Sequence, residues 1–209
     1  FFFFLMIRGP PRTTLDRSSA ASDVYKRQGY KPLMENSIPG IKSIVRTTEN
    51  LGSGIIQLSE KIDSETKVFR EEDIIYVDQD YLSVFTFPVL AGSDNLSEPH
   101  SVTLASSVSK KIFGEKDPIG QTLTIDNQFG KHIFTVKSVF QDPPSNSDLQ
   151  PKVLLSMSSL NNAADRNDND WADPAETESS FIHYFLLLDQ GTKALDIQSS
   201  ITTFMRNAS

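Results

Sequence analysis

Hydrophobic and polar positions alternate most clearly in the middle third of the chain. Val108 and Ile112 stand four positions apart, which predicts one buried face of a short helix over residues 106–113. Gly114 follows at the position where a glycine in the left-handed region ends a helix at least cost. Short apolar runs around this helix predict strands at residues 102–104, 123–125, 133–139 and 153–155.

The flanking thirds predict the same kinds of element. Residues 33–41 have the pattern of a helix end and a turn, and a further helix is predicted from about Lys193, where apolar residues recur at helical spacing. Further strands are predicted at residues 44–48, 55–58, 67–69, 73–77 and 181–188. The first two of these strands are predicted to pair as a hairpin. Strands outnumber helices, and helices lie at the edges of strand groups, which predicts an α+β fold with mixed sheets.

Residues 1–28 follow neither the helical nor the strand period. Seven apolar residues are followed by two prolines and a polar string with five Lys or Arg and two Asp or Glu, so the remaining chain carries a charge of −10. The segment resembles a translated sequencing adaptor joined to a gene fragment, and the alternative is a genuine basic leader. We therefore expect residues 1–28 to be a non-native, disordered leader that is dispensable for folding, with the gene fragment starting near Gly29.

Residues 161–180 are acidic and contain almost no apolar residue except Trp171. The residues Asp165, Asn167, Asn169 and Glu176 occupy positions 1, 3, 5 and 12 of a calcium-loop pattern. Position 6, which needs glycine, is an aspartate, and a proline interrupts the second half of the pattern. A mobile, solvated loop without metal is therefore the favoured interpretation.

Composition and charge exclude several function classes. Of the 209 residues, 38% are hydrophobic and 22% are charged, which is ordinary for a globular protein with a sizeable core. The net charge of −7 argues against a nucleic-acid partner, which requires clustered Lys and Arg. The absence of cysteine excludes disulfides, thiolate metal sites and cysteine nucleophiles. The longest apolar run, residues 1–7, is far short of the roughly 20 residues that a spanning helix needs.

No catalytic, cofactor or metal site is predicted. His100, His132 and His183 lie far apart in sequence without metal-ligand spacing, so we expect surface or sheet-edge histidines. Phosphate loops, nucleophile elbows and dinucleotide fingerprints are absent from the sequence. The aromatic residues Tyr81, Phe85 and Phe87 are expected to belong to the core, or, if exposed, to form a partner surface.

Four segments in order resemble one known family. The segment VTLASSVSKKIFGEKDPIGQTL (102–123) resembles the hallmark of the MacB-like periplasmic core domain of FtsX-type permeases, with a strand, a lysine-rich helix, FG, an acidic turn and PIG. Residues 73–92, 134–150 and 181–201 resemble three further segments of that domain, and the aromatic-rich variant is most similar to Bacteroidetes permeases. Two departures are Ala105, where a Ser or Thr cap is expected, and Asp148, where a histidine is common.

The resemblance implies a two-lobed, mixed-sheet ectodomain. Residues 29–94 and 161–209 would form a porter-like lobe, incomplete at both ends, and residues 95–160 a β-rich lobe inserted into it. Val108, Ile112 and Phe113 would anchor the inserted lobe.

The same resemblance implies a function without chemistry in this domain. It would be the periplasmic segment of a bacterial inner-membrane ABC transporter permease, transmitting ATP-driven motion and docking substrates such as peptides, lipoproteins or other amphiphiles. Its partners would be its own membrane helices, a cytoplasmic ATP-binding subunit or domain, and a periplasmic adaptor or lipoprotein. Two alternatives are a free-standing periplasmic ligand-binding module and a hydrolase with an unrecognised site.

Overall fold

A computed structural model describes residues 3–6, 30–48, 53–58, 68–174 and 181–207, and the structural statements below concern these residues. The helices are α1 (Tyr30–Ser37), α2 (Tyr81–Phe85), α3 (Ser106–Phe113) and α4 (Ala194–Asn207). The strands are β1 (Phe3–Met6), β2 (Ile41–Thr48), β3 (Gly54–Leu58), β4 (Val68–Glu71), β5 (Ile74–Val77), β6 (Val89–Gly92), β7 (Ser101–Ala105), β8 (Thr122–Asn127), β9 (Gly130–Phe140), β10 (Val153–Ser156) and β11 (Ile182–Leu188). None of the helices described is long and apolar enough to cross a membrane.

The strands form one mixed sheet in the order β1-β11-β2-β5-β10-β7-β9-β8-β3-β4, with β6 paired to β9. The pairs β1–β11, β5–β10 and β7–β9 are parallel, and the other pairs are antiparallel. The predicted α+β fold with a mixed sheet is therefore confirmed. The strands predicted in the middle third correspond to β7, β8, β9 and β10.

One strand pairing was predicted wrongly. β2 does not form a hairpin with β3, because its two edges are occupied by β11 and β5. β3 pairs instead with β4 and β8. Two predicted strands separated by a short glycine-containing break are a local signal for a hairpin. The actual partners of β2 come from more distant parts of the chain.

The sheet continues across the predicted lobe boundaries at residues 94/95 and 160/161. β5 pairs with β10 in four registered residues, and β3 pairs with β8 in another four. The buried apolar residues form one cluster that includes Ile44 and Leu186 from the terminal segments and Val102 and Leu155 from the middle. The division into two lobes remains a prediction.

Part of the predicted leader is ordered. Phe3–Met6 form strand β1, which pairs in parallel with residues 184–187 of β11. The structure thus differs from the expectation that these four residues are disordered. An apolar stretch at a free sheet edge finds backbone hydrogen-bond partners there. Residues 7–28 lie outside the described residues, so the expectation for them remains open.

Helix α3 has the predicted bounds, and a distant carboxylate contacts its first turn. Ala105 stands at the N-cap without a side-chain acceptor, as the sequence indicates. The Asp142 carboxylate, from the turn after β9, accepts a hydrogen bond from the Ser107 backbone N–H at 3.0 Å. The hydroxyls of Ser106 and Ser107 also donate to Asp142. The Asp142 carboxylate therefore caps the helix in place of a side chain at position 105.

Residues 161–174 form a better anchored segment than expected. They contain 3-10 turns at Ala163–Asp165 and Asp170–Ala172. Arg166 is buried and donates to the Leu160 carbonyl at 2.9 Å, and Trp171 contacts the rings of Phe129 and Phe181. The structure agrees with the prediction that this segment contains no long helix or strand. The predicted mobility rested on the lack of apolar anchors and did not take the buried Arg166 into account. Residues 175–180 lie outside the described part of the chain.

Candidate functional site

A buried carboxylate links three elements of the first part of the chain, α1, β2 and β5. Asp78 follows β5 directly, and its side chain is 8% exposed. Oδ1 accepts from Arg46 Nη2 on β2 at 3.0 Å, and Oδ2 accepts from the Arg46 Nε at 3.1 Å and its backbone N–H at 2.9 Å. Lys31 Nζ on α1 donates to Oδ2 at 3.0 Å. Arg46 Nη1 also donates to the Pro174 carbonyl at 3.1 Å.

The charges in this Asp78 network support one another. Burial by itself raises the pKa of the Asp78 carboxyl, but the charge and hydrogen bonds of Arg46 and the charge of Lys31 outweigh burial and hold the pKa below its ordinary value. For the Arg46 guanidinium, burial by itself lowers the pKa, but the charge and hydrogen bond of Asp78 outweigh burial and raise the pKa above its ordinary value. The network therefore stays ionised at neutral pH and holds α1 against the sheet.

The first and last helices of the domain lie against each other beside this network. Tyr30 on α1 and Phe204 on α4 make an edge-to-face ring contact at 5.7 Å between centroids. A groove of about 610 Å³ runs between these helices, lined by Ser37, Ile38, Pro39, Ser199, Ser200, Thr203 and Phe204. Small hydroxyl residues make up most of its α4 side.

The aromatic residues proposed as a partner surface lie together but are not exposed. Tyr81 stacks on Phe87 at 5.9 Å and contacts Phe85 at 4.6 Å between ring centroids. Tyr81 and Phe85 are buried and Phe87 is half-buried, because α2 packs them against Phe185 of β11 and Phe140 of β9. The partner-surface alternative is therefore wrong for this conformation, and the cluster belongs to the core.

Two of the three histidines, which are distant in sequence, come together. His100 precedes β7 and His132 lies in β9, and both face Asp165, while His183 lies apart in β11. Sequence reasoning missed this cluster because the parallel pairing of β7 with β9 creates it, and no local spacing encodes that pairing.

The calcium-loop residues are occupied elsewhere. Asp165 faces the two histidines, and the side-chain amides of Asn167 and Asn169 both donate to the Gln128 carbonyl. The amide oxygen of Asn169, which is the atom that would face a cation, accepts from Trp171 Nε1 at 2.9 Å. Glu176 lies outside the described residues.

The Asp78 network was also missed, although the sequence carries a signal for it. Arg46 interrupts an apolar strand pattern, and Asp78 follows a fully apolar strand end. A charged residue within a predicted buried strand requires an opposite charge. The sequence-based prediction treated Asp78 only as a turn residue.

Comparisons with known proteins agree with the observed fold. A family model described as the MacB-like periplasmic core domain matches residues 6–204. The chain belongs to this family. The family resemblance predicted from the sequence is thereby confirmed: this chain carries a MacB-like periplasmic core domain.

Solved structures show the same fold at low sequence identity. A domain of a putative permease protein from Porphyromonas gingivalis is 21% identical, with a TM-score of 0.64 over 89% of this chain and 79% of that one. The periplasmic region of MacB from Actinobacillus actinomycetemcomitans is 17% identical, with a TM-score of 0.60 over 98% and 81% of the two chains. The extracellular domain of the ABC-type transporter YknZ from Gram-positive bacteria is 13% identical, with a TM-score of 0.55 over 99% and 93%. A search of curated proteins finds no match.

Proposed function

We propose that this MacB-like domain transmits ATP-driven motion of its permease's membrane helices to the periplasm, and that it does no chemistry itself. The observation that carries the proposal is the contact between α1 and α4, the first and last of the helices that the structure describes. In a permease, membrane helices adjoin both ends of such a domain, so their relative movement would act at this contact.

The Asp78 network gives that movement a route into the sheet. Lys31 ties α1 to Asp78, and Asp78 is tied in turn to β2 through three contacts with Arg46. β5, which ends next to Asp78, pairs with β10 of the middle segment. A displacement of α1 would therefore reach the middle segment through buried ionic contacts and strand pairing, both of which resist stretching.

Partners and cargo belong to the same proposal. The partners would be the permease's membrane helices, a cytoplasmic ATP-binding subunit or domain, and a periplasmic adaptor or lipoprotein. The cargo class would be peptides, lipoproteins or other amphiphiles. The groove between α1 and α4 would change shape as the helices move, which is how a docking surface could follow the ATP cycle.

Amide hydrogen exchange on the full-length permease tests the proposal without knowledge of the cargo. We expect exchange in α1, α4 and β5 to differ between the nucleotide-free and ATP-bound states. In Asp78→Asn, the difference should persist in α1 and shrink in β5, while Asp73→Asn, an exposed neighbour, should behave like wild type. Exchange that is identical in both nucleotide states throughout the domain would contradict the proposal.

The absence of chemistry has a separate test. The purified domain is expected to turn over neither ATP nor an ester or peptide panel. Turnover that survives repurification and disappears with one point substitution would support the hydrolase alternative.

A further inference from the structure

His100, His132 and Asp165 converge on one point from three separate segments. His100 Nε2 lies 3.1 Å from one Asp165 carboxylate oxygen, and His132 Nδ1 lies 3.5 Å from the other. The two imidazole rings are nearly parallel, with 5.9 Å between centroids and 11° between planes. One ligand atom from each of the three residues lies within 4.8 Å of the others.

Hydrogen bonding fixes the direction of the His132 lone pair. Its Nε2 lies 2.8 Å from the Phe129 carbonyl oxygen, which can only accept, so Nε2 carries the proton. In the neutral ring, Nδ1 then presents a lone pair to the Asp165 carboxylate. A lone pair facing an anion at 3.5 Å is repulsive unless a proton or a metal cation lies between them. A histidine that donates its other ring N–H to a backbone carbonyl is the usual arrangement of a metal ligand.

His100 leads to the same conclusion from a different observation. Its Nε2 has the distance of an ion pair to Asp165 but not the direction of a hydrogen bond, and this buried atom has no hydrogen-bond partner. A buried polar atom without a partner is costly. The rest of the His100 side chain is 39% exposed, which leaves a path for an ion from solvent.

The backbone holds all three residues in place before any ion binds. The His100 N–H donates to Ser159 Oγ at 2.8 Å, and the Thr135 N–H donates to the His100 carbonyl at 2.8 Å. His132 lies within the β8–β9 ladder. The Asp165 N–H donates to the Asn162 carbonyl at 3.0 Å. Such preorganisation reduces the ordering cost of binding.

We infer that His100, His132 and Asp165 form a binding site for a divalent transition-metal ion of the Zn²⁺ class. Two imidazole nitrogens and one carboxylate oxygen suit this class better than Ca²⁺ or Mg²⁺, which prefer oxygen ligands. Ligands about 2.1 Å from tetrahedral Zn²⁺ lie about 3.4 Å apart, a value between the two ring-to-carboxylate distances given above. The fourth position would be open to water or to a ligand from a partner.

This site is independent of the proposed transmission function. A bound ion would join the turn before β7, strand β9 and the 163–165 turn, and so would tie residues 161–174 to the sheet. The inference differs from the expectation, drawn from sequence spacing alone, that the histidines hold no metal.

Calorimetric titration of the untagged, chelator-treated chain with Zn²⁺ tests the inference. We expect one ion per chain, and at least tenfold weaker binding for His132→Gln, His100→Gln and Asp165→Asn. His183→Gln removes a histidine outside the cluster and should bind like wild type. Zn²⁺ should also raise the melting temperature of wild type and of His183→Gln, but not that of the three variants in the cluster.

Ring-nitrogen NMR of the wild-type chain keeps the test valid if a variant fails to fold. Zn²⁺ should shift the ring signals of His100 and His132 and leave those of His183 unchanged. Three results would overturn the inference: no binding at millimolar Zn²⁺, unchanged binding in Asp165→Asn, or ring signals that respond to pH but not to Zn²⁺.

Discussion

Helices α1 and α3 are both eight residues long, and each is tied to a carboxylate distant in sequence, yet the two are held in different ways. α3 buries Val108, Ile112 and Phe113 in the core, and Asp142 accepts hydrogen bonds at its first turn. α1 buries Tyr30 and Met34, and the Lys31 charge reaches the buried Asp78. Helices this short are marginal alone, so tertiary contacts decide whether each forms.

The difference separates attachment by apolar packing from attachment by charge. Apolar packing is non-directional and tolerates small shifts. A buried ion pair, in contrast, stabilises the fold much less once its two charges move apart. α3, in the middle segment, is therefore fixed mainly by its core face, with the carboxylate adding a cap. α1 depends more on the ionic contact between Lys31 and Asp78.

The largest expected effect is on α3. Replacing Phe113 with Ala removes a buried ring and should lower the free energy of unfolding by about 3–5 kcal/mol. Urea unfolding followed by circular dichroism measures this change. Lys110→Ala, on the exposed face of the same helix, should stay within about 0.5 kcal/mol of wild type. A loss below about 1 kcal/mol in Phe113→Ala would show that apolar packing does not hold α3.

The next effect concerns the Asp78 network. Asp78→Asn leaves the buried Arg46 guanidinium without its counter-charge, and we expect a loss of about 2–3 kcal/mol in unfolding free energy. Asp73→Asn breaks the more exposed pair with Lys152 and should cost at most about 1 kcal/mol. Equal costs for both variants would remove the distinction between the two carboxylates.

Acid titration sharpens the same comparison. The folded-state pKa of Asp78 lies below its ordinary value of 3.8, so its contribution is complete above that value and is lost as the pH falls through the folded pKa. The gap in unfolding free energy between wild type and Asp78→Asn should therefore be constant near neutral pH. It should narrow as the pH falls below about 4, because the Asp78 carboxylate of wild type is then protonated and loses its ion pairs. A gap that widens on acidification would contradict this assignment.

The smallest effect concerns the cap of α3. Asp142→Ala should cost about 1 kcal/mol of unfolding free energy, because the first turn loses its acceptor and the favourable charge at its N-terminus. Asp148→Ala, an exposed aspartate in the same turn region, is the matched control and should be neutral. Adding Ala105→Ser to Asp142→Ala supplies a local N-cap and should recover part of the loss.

Local patterns predicted the elements better than their connections. Apolar periodicity and turn residues, which act over a few positions, predicted the bounds of α3, the strands at 123–125, 133–139 and 153–155, and the last helix. The pairing of β2 was missed because its partners, β5 and β11, are distant in sequence and any apolar strand could have taken their place.

The candidate sites were missed for a related reason. The carboxylate partners of Arg46, Ser107 and His132 each lie more than 30 residues away. A single sequence shows that a buried charge needs a partner but not which residue supplies it. The order of strands and helices predicted the fold class, and only the folded chain shows which partners Asp78, Asp142 and Asp165 have.

The contact between Tyr30 and Phe204 joins two residues that are far apart in sequence, so it closes a long loop of chain. The entropic cost of closing such a loop grows only slowly with its length. The contact should therefore tolerate added residues in an exposed turn between α1 and α4 better than the loss of either ring.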